Sequence, residues 1–276
     1  MKLALCNEVL RHLPFEEQCR LAAALGCNGL ELAPFTLAND PSVLTDADAQ
    51  RLRRIAAGHG LAISSLHWLM VRPEGLSIST PDAALHARSV EFLRRMIGFA
   101  AACGAQVLVH GSPKQRSPQA GQSIVDALAR SEAAWTQLAS PAQQHGVVYC
   151  IEPLSANETP VVNTVAEAAA VVDRIGSPAV RTMLDLSAAS QAEASPPADV
   201  LARYLASGHI AHVQLNDRNR RGPGQGDTPV APLLRVLRAT DYRGWVALEP
   251  FDYQPEALAC AAASAAYVRG IWEALA

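Results

Sequence analysis

The stretch Val-Val-Tyr-Cys-Ile-Glu-Pro, residues 147–153, decides the fold class. Its first five residues are apolar without alternation, which is typical of a strand in a parallel sheet that is buried on both faces. A glutamate and a proline follow directly. Proline keeps the preceding residue extended and has no N–H to continue a sheet. The stretch therefore predicts a buried parallel strand that ends at Glu152.

Comparable apolar stretches recur along the chain, each followed by a Gly/Pro/Ser break and a longer helical segment. The predicted strands are 2–6, 29–32, 62–66, 106–110, 147–152, 180–185, 210–214 and 245–249. The predicted helices lie near 15–25, 46–58, 81–103, 121–145, 164–175, 198–206, 230–239 and 255–273. Strands that alternate with helices, at roughly 30 residues per unit, favour an α/β fold with a parallel sheet.

A closed (β/α)8 TIM barrel, with residues 1–276 forming a single domain, is the preferred architecture because the length suits one such barrel. The alternative is an open doubly wound sheet. That fold usually carries a Gly-rich dinucleotide fingerprint after its first strand, whereas Asn7-Glu8-Val9-Leu10 stands there in this chain. In the third helix we expect Thr80 as N-cap, Pro81 as the first helical residue and an end near Gly104.

Composition restricts the class of protein. The net charge is −3, so there is no general attraction to nucleic acid or to an anionic membrane. The first six residues are too short for a secretory signal, and no apolar run reaches the ~18 residues of a membrane span. The six cysteines are scattered, without a metal-binding or disulfide pattern. We therefore expect a cytoplasmic protein with reduced thiols that contacts neither nucleic acid nor membrane.

Oxygen-bearing side chains end the last four predicted strands. They are Glu152, Asp185, Gln214 and Glu249, in the segments YCIEP, RTMLDL, AHVQLND and VALEP. In a barrel these ends meet at one face, and burying three carboxylates together is costly unless a cation compensates their charge. All-oxygen coordination favours one Mn²⁺ or Mg²⁺ ion, with Co²⁺ or Zn²⁺ as alternatives. The other interpretation is that each acid caps the helix that follows it.

These segments carry a family resemblance that extends over essentially the whole chain. The most specific portions are IEPLSANETPVVNT (151–164), MLDL (183–186), HVQLNDRNRRGPGQGD (212–227) and WVALEPFDY (245–253). They resemble the xylose-isomerase-like TIM barrels of sugar phosphate isomerases and epimerases, including ketose 3-epimerases and hydroxypyruvate isomerases.

The resemblance implies roles for the four strand-end residues. Glu152 and Glu249 match metal ligands that also form the acid/base pair, and Asp185 matches the second ligand. The third ligand in the family is often the second histidine of an H-x-H segment. In this chain the segment is His212-Val213-Gln214, and hydroxypyruvate isomerases resemble it in placing a glutamine there.

The implied reaction removes a proton from a carbon beside a carbonyl and passes through an enediolate. Protonation on the opposite face gives epimerisation, and protonation of the neighbouring carbon gives isomerisation. The substrate would be a small keto-sugar, sugar phosphate or hydroxy-keto acid. Glu158 and Arg220 match family residues that contact substrate oxygens. Ala188 stands where epimerases usually carry a substrate-contacting histidine, which puts a ketohexose-epimerase binding mode in doubt.

Further residues near strand ends are candidates for substrate contact. His67 ends the third strand and His110 the fourth, while Glu31 ends the second and could support the ligands or form a structural ion pair. The arginine-rich run 217–227 suggests an anionic group on the substrate, because loops after the seventh and eighth strands of barrels frequently bind phosphate. Formation of a homo-oligomer is also compatible with the sequence.

Three rival functions fit parts of the pattern. A metal-dependent dehydratase or lyase of the same superfamily would use the same residues and then lose a β-hydroxyl. An endonuclease-IV-like DNA repair enzyme would need a histidine-rich multi-zinc cluster and a basic face. A non-catalytic sugar-binding barrel would not need both glutamates.

Overall fold

The computed structural model describes residues 1–275, and its centre is a closed barrel of eight parallel strands in the order β1 to β8. The strands are β1 Lys2–Cys6, β2 Gly29–Leu32, β3 Ala62–Leu66, β4 Val107–His110, β5 Val148–Ile151, β6 Val180–Asp185, β7 Ile210–Leu215 and β8 Trp245–Leu248. β1 pairs with both β2 and β8, which closes the ring. The predicted TIM barrel is confirmed.

Helices connect the strands. They are α1 Phe15–Ala24, α2 Asp46–Gly58, α3 Ala83–Cys103, α4 Pro113–Arg116, α5 Ile124–His145, α6 Val165–Ile175, α7 Leu186–Ala192, α8 Pro197–Ala206, α9 Ala231–Ala239 and α10 Ala257–Ala274. Short 3-10 turns span Asn7–Leu10, Pro34–Thr36 and Pro41–Val43. Within residues 1–275, none of the helices is both long enough and apolar enough to cross a membrane.

The strands divide the core into two parts. Leu3 and Leu5 of β1 pack into the large cluster shared with the helices, whereas Ala4 and Cys6 pack with Trp245 on the other face. This alternation follows from the two-residue period of a strand. The inner face also carries buried polar residues on several strands, namely Glu31, Ser65, His212 and Gln214. The barrel interior is therefore polar near its carboxyl end.

The start of α3 differs from the prediction. The N-cap is Asp82, whose Oδ1 accepts hydrogen bonds from the backbone N–H groups of Ala84 and Leu85. Thr80 Oγ1 accepts from the N–H of Asp82 instead. The assignment of Thr80 as cap and Pro81 as first helical residue was wrong, because two good capping residues lie two positions apart. The end at Gly104 is confirmed, with a left-handed φ of 81° that suits glycine.

Candidate metal centre

Three of the four predicted ligands converge at the carboxyl end of the barrel. Glu152, Asp185 and Glu249 are buried, and each offers a carboxylate oxygen within 4.8 Å of the others. The backbone N–H of Glu152 donates to His110 O at 3.2 Å, and that of Glu249 donates to Leu215 O at 3.0 Å. Strand pairing therefore continues through each glutamate, and the prolines that follow end it.

The electrostatics of the cluster call for a compensating cation. Burial, followed by repulsion from Glu249 and Asp185, raises the pKa of Glu152 well above its usual range. Burial raises the pKa of Asp185 to about 7 and that of Glu249 to about 8, although His67 opposes the latter shift. Three carboxylates in one water-poor site resist simultaneous ionisation, and a divalent cation removes that penalty.

Gln214, the fourth predicted ligand, lies on the strand next to Asp185 and is its direct register partner. Gln214 Oε1 and Glu249 Oε2 are buried and accept no hydrogen bond from any group in the described chain. Buried acceptors without a partner are costly, and a hard divalent ion is the ligand that carboxylate and amide oxygens suit. The residues present therefore fit a divalent metal.

Asp185 combines capping with its place in the cluster. Its Oδ1 accepts from the backbone N–H of Ala188 at 2.7 Å, at the start of α7, and its Oδ2 accepts from Asn216 Nδ2 at 2.6 Å. Each carboxylate oxygen has two acceptor positions, so these bonds leave capacity for an ion. The capping interpretation is thus correct for Asp185 and does not exclude metal binding.

Glu249 is oriented by two side chains of the segment after β3. His67 Nδ1 lies 2.9 Å from Glu249 Oε1, and Trp68 Nε1 donates to the same oxygen at 3.1 Å. The other imidazole nitrogen, Nε2, lies 2.8 Å from Glu8 Oε2. Burial alone would lower the pKa of His67, but Glu8 and Glu31 hold it well above its usual value. His67 therefore lies between the carboxyl groups of Glu249 and Glu8 and contacts both.

Glu31, on β2, is fully buried and contacts Gln214. Its Oε1 accepts from Gln214 Nε2 at 2.6 Å and from Cys6 Sγ at 3.1 Å. Its Oε2 accepts from the Ser65 hydroxyl and lies 2.7 Å from His212 Nε2. Burial by itself would raise the pKa of Glu31, but His212, His67 and Ser65 together hold that pKa below its usual range.

The position of Glu152 depends on two neighbours. A Cβ atom at Gly111 would overlap the Glu152 carboxylate, so only glycine allows the approach of that side chain. Arg116 is fully buried, and its Nη1 donates to the backbone oxygens of Glu152 at 2.7 Å and His110 at 3.3 Å. Burial lowers the pKa of Arg116 to about 10. Gly111, Glu8 and Asn216 were not predicted as part of the site.

A cavity of about 240 Å³ opens beside the cluster. Glu152 and Asp185 line it together with the predicted contacts Glu158 and Arg220 and with Ala188. Arg220 lies over the Phe251 ring at 4.6 Å, and its Nη1 is 3.7 Å from Glu158 Oε1. A smaller adjoining space is bounded by Glu152, Glu249, Trp68 and Phe251.

His110 lines neither the cavity nor the smaller adjoining space. Its Nδ1 is 2.5 Å from the Tyr149 hydroxyl and accepts from Trp135 Nε1 at 3.3 Å, and the residue is fully buried. Burial and the nearby Arg116 cation lower its pKa to about 3, so the imidazole is neutral. A substrate contact for His110 stays a prediction.

Comparison with known proteins agrees with this architecture. A model of the xylose isomerase-like TIM barrel family matches residues 19–270. The chain is 28% identical over 189 residues to a probable ketose 3-epimerase of Synechocystis sp., covering 68% of this chain and 64% of that relative, which is less than two thirds of the relative's length. It is 28% identical over 233 residues to a D-psicose 3-epimerase of Agrobacterium fabrum, covering 83% and 76%.

A solved structure shows the same fold. The crystal structure of D-psicose 3-epimerase in the presence of D-fructose has a TM-score of 0.84 at 22% identity, and the match covers 99% of both chains. The family model extends over far more than half of this sequence. The chain therefore belongs to the xylose isomerase-like TIM barrel family.

Proposed function

We propose that this protein is a divalent-metal-dependent epimerase or isomerase of small ketoses, with Glu152 and Glu249 as its acid/base pair. The observation that carries the proposal is the convergence of Glu152, Asp185 and Glu249 within 4.8 Å beside an open cavity. The ketose 3-epimerase relatives support the same class of reaction.

Glu152, Asp185, Gln214 and Glu249 would hold the metal. When bound, a divalent ion would polarise the carbonyl of a hydroxy-ketone and acidify the neighbouring C–H. The ligand set contains only oxygen, which favours Mn²⁺ or Mg²⁺ over Zn²⁺.

The chain's own residues would carry the proton. Glu249 Oε1 is held by His67 and Trp68, so the carboxylate keeps one orientation and Oε2 is its available atom. Glu152 lines both the cavity of about 240 Å³ and the smaller space beside it. One glutamate would remove the proton and the other would return one to the opposite face or to the neighbouring carbon.

The cavity restricts the substrate to small molecules. Its volume of about 240 Å³ lies below the ~300–1,000 Å³ range of typical ligand pockets. The methyl group of Ala188 is too short to reach far into the cavity. Ser187, Gln191 and Arg218, which line the same cavity, would therefore contact that side of the substrate. Because Arg220 already faces Glu158, Arg218 is the cation that would favour an anionic substrate group.

Deuterium exchange tests the proposed reaction. The Mn²⁺-loaded protein is incubated in deuterated water with ketopentoses, ketohexoses, ketose phosphates and small hydroxy-keto acids, and products are followed by NMR. We expect at least one substrate to gain deuterium beside its carbonyl without loss of water. Loss of water would indicate a dehydratase instead. Absence of exchange with the whole panel would contradict the proposal and favour a non-catalytic barrel.

Replacing Gly111 by alanine should lower turnover by about 10²-fold, because misplacing a reacting group by ~1 Å can have that effect. The added methyl group would displace the Glu152 carboxylate. Gly270→Ala is a matched control, since a Cβ there meets no atom within 4 Å. Steady-state rates of both variants check the expectation. Full activity of Gly111→Ala would show that Glu152 does not need its present position.

A further inference from the structure

Gln214 can serve as a metal ligand only in one orientation of its amide. The side chain ends in an oxygen, which can bind a cation, and in an NH₂ group, which cannot. The two ends exchange when the amide turns by 180°. A carboxylate ligand has no such requirement, because both of its ends are oxygens.

Glu31 determines that orientation in this structure. A carboxylate only accepts hydrogen bonds, and Glu31 Oε1 lies 2.6 Å from Gln214 Nε2. The opposite amide orientation would place two acceptor oxygens at this distance inside a fully buried site. The contact leaves Gln214 Oε1 on the other side of the amide, where it accepts no hydrogen bond from residues 1–275.

Glu31 is itself held from several directions. Its Oε2 is fixed by the Ser65 hydroxyl, with His212 Nε2 at 2.7 Å, and its Oε1 also accepts from Cys6 Sγ. Since these partners come from β1, β3 and β7, the Glu31 carboxylate cannot turn without breaking contacts to three strands.

We propose that Glu31 is a positioning residue that holds the Gln214 amide with its oxygen toward the metal, and that this contact allows glutamine to serve as third ligand. The inference rests on the proposed function. Residues that orient a metal ligand from behind typically change metal affinity by about 10–100-fold when they are altered.

The Glu31→Gln variant tests this role. The Ser65 hydroxyl, which donates to Oε2, would keep the new amide oxygen at that position, so the NH₂ group would face Gln214. Gln214 would then turn its own oxygen toward residue 31 and its NH₂ toward the metal. We expect the affinity for Mn²⁺, measured by EPR titration, to fall by about 10–100-fold.

A double variant separates orientation from general damage. In Glu31→Gln/Gln214→Glu the hydrogen bond is restored with its direction reversed, and residue 214 again presents an oxygen to the metal. We expect this variant to recover most of the lost Mn²⁺ affinity. Glu132→Gln is the matched control, because it makes the same carboxylate-to-amide change at an ion pair with Arg174, away from the cluster. Its Mn²⁺ affinity should be unchanged within error.

Thermal unfolding in metal-free buffer shows whether each variant folds. If Glu31→Gln does not fold, Glu31→Asp replaces it, since the shorter side chain withdraws the oxygen from Gln214 and should weaken Mn²⁺ binding similarly. Wild-type affinity in a folded Glu31 variant, or a double variant that binds no better than Glu31→Gln, would overturn the inference alone. A wild-type protein that binds no Mn²⁺ would overturn both this inference and the proposed function.

Discussion

Replacing Glu152 or Glu249 by glutamine is expected to reduce turnover by about 10³-fold or more while the barrel still folds, because positioned acid/base groups contribute typically about 10²–10⁴-fold. Glutamine preserves the volume of the side chain and one oxygen ligand, but it cannot exchange a proton. Both residues are buried in the acidic cluster, where they would face the substrate in the proposed reaction. The measurement is the rate of deuterium incorporation with saturating Mn²⁺.

A carboxylate away from the site provides the control for these variants. Glu132 of α5 forms an ion pair with Arg174, at 2.7 Å, and takes no part in the cluster. Glu132→Gln should therefore exchange deuterium at the wild-type rate. The Mn²⁺ affinity of the Glu152 and Glu249 variants should fall much less than their turnover. Near wild-type rates in both would exclude the acid/base pair.

Removal of metal is expected to abolish exchange and to make stability fall as pH rises. In the metal-free protein the pKa of Asp185 is raised from 3.8 to about 7 and that of Glu249 from 4.5 to about 8, mainly by burial. The folded state therefore holds these protons more tightly than the unfolded state does. Their contribution to stability is present below about pH 4 and is lost progressively as pH rises toward 8.

Metal binding should reverse this trend, because a ligand that binds only the folded state adds about 2.7 kcal/mol at 100 times its Kd. The thermal midpoint is measured at pH 5 and pH 8, with EDTA or with saturating Mn²⁺. We expect Mn²⁺ to raise the midpoint more at pH 8 than at pH 5. Glu249→Gln, which lacks one of the carboxyl groups with a raised pKa, should show a weaker pH dependence in EDTA. Equal effects of Mn²⁺ at the two pH values would argue against a metal bound by this cluster.

Local sequence patterns were sufficient for the barrel. A mostly apolar run with a polar residue at its end marks each of the last four strands, and the structure moves those boundaries by no more than one residue. The pattern is local because strands buried on both faces are mostly apolar. The start of α3 and the short helix α7 were harder to predict from local sequence. α7 begins directly after Asp185 without an intervening turn, so nothing in the sequence separates it from the strand.

The candidate ligands could also be read from single strand ends, but their partners could not. Glu8 and Asn216 follow β1 and β7 closely, in positions that resemble those of the ligands, yet no local feature connects Glu8 with His67 or Asn216 with Asp185. Those contacts join residues 59 and 31 positions apart. Pairing of strands that are distant along the chain brings them together.

The sequence alone determined the order of strands and helices and the residue types at the mouth of the barrel, since both follow from side-chain periodicity and from where apolar runs end. Tertiary structure decided which side-chain atoms of those residues face the candidate metal site. Gln214 and Glu31 are 183 positions apart, and the direction of the amide follows from a hydrogen bond between them inside the closed barrel. Hydrogen-bond direction depends on neighbours in space, and those neighbours are set only when β1 and β8 pair.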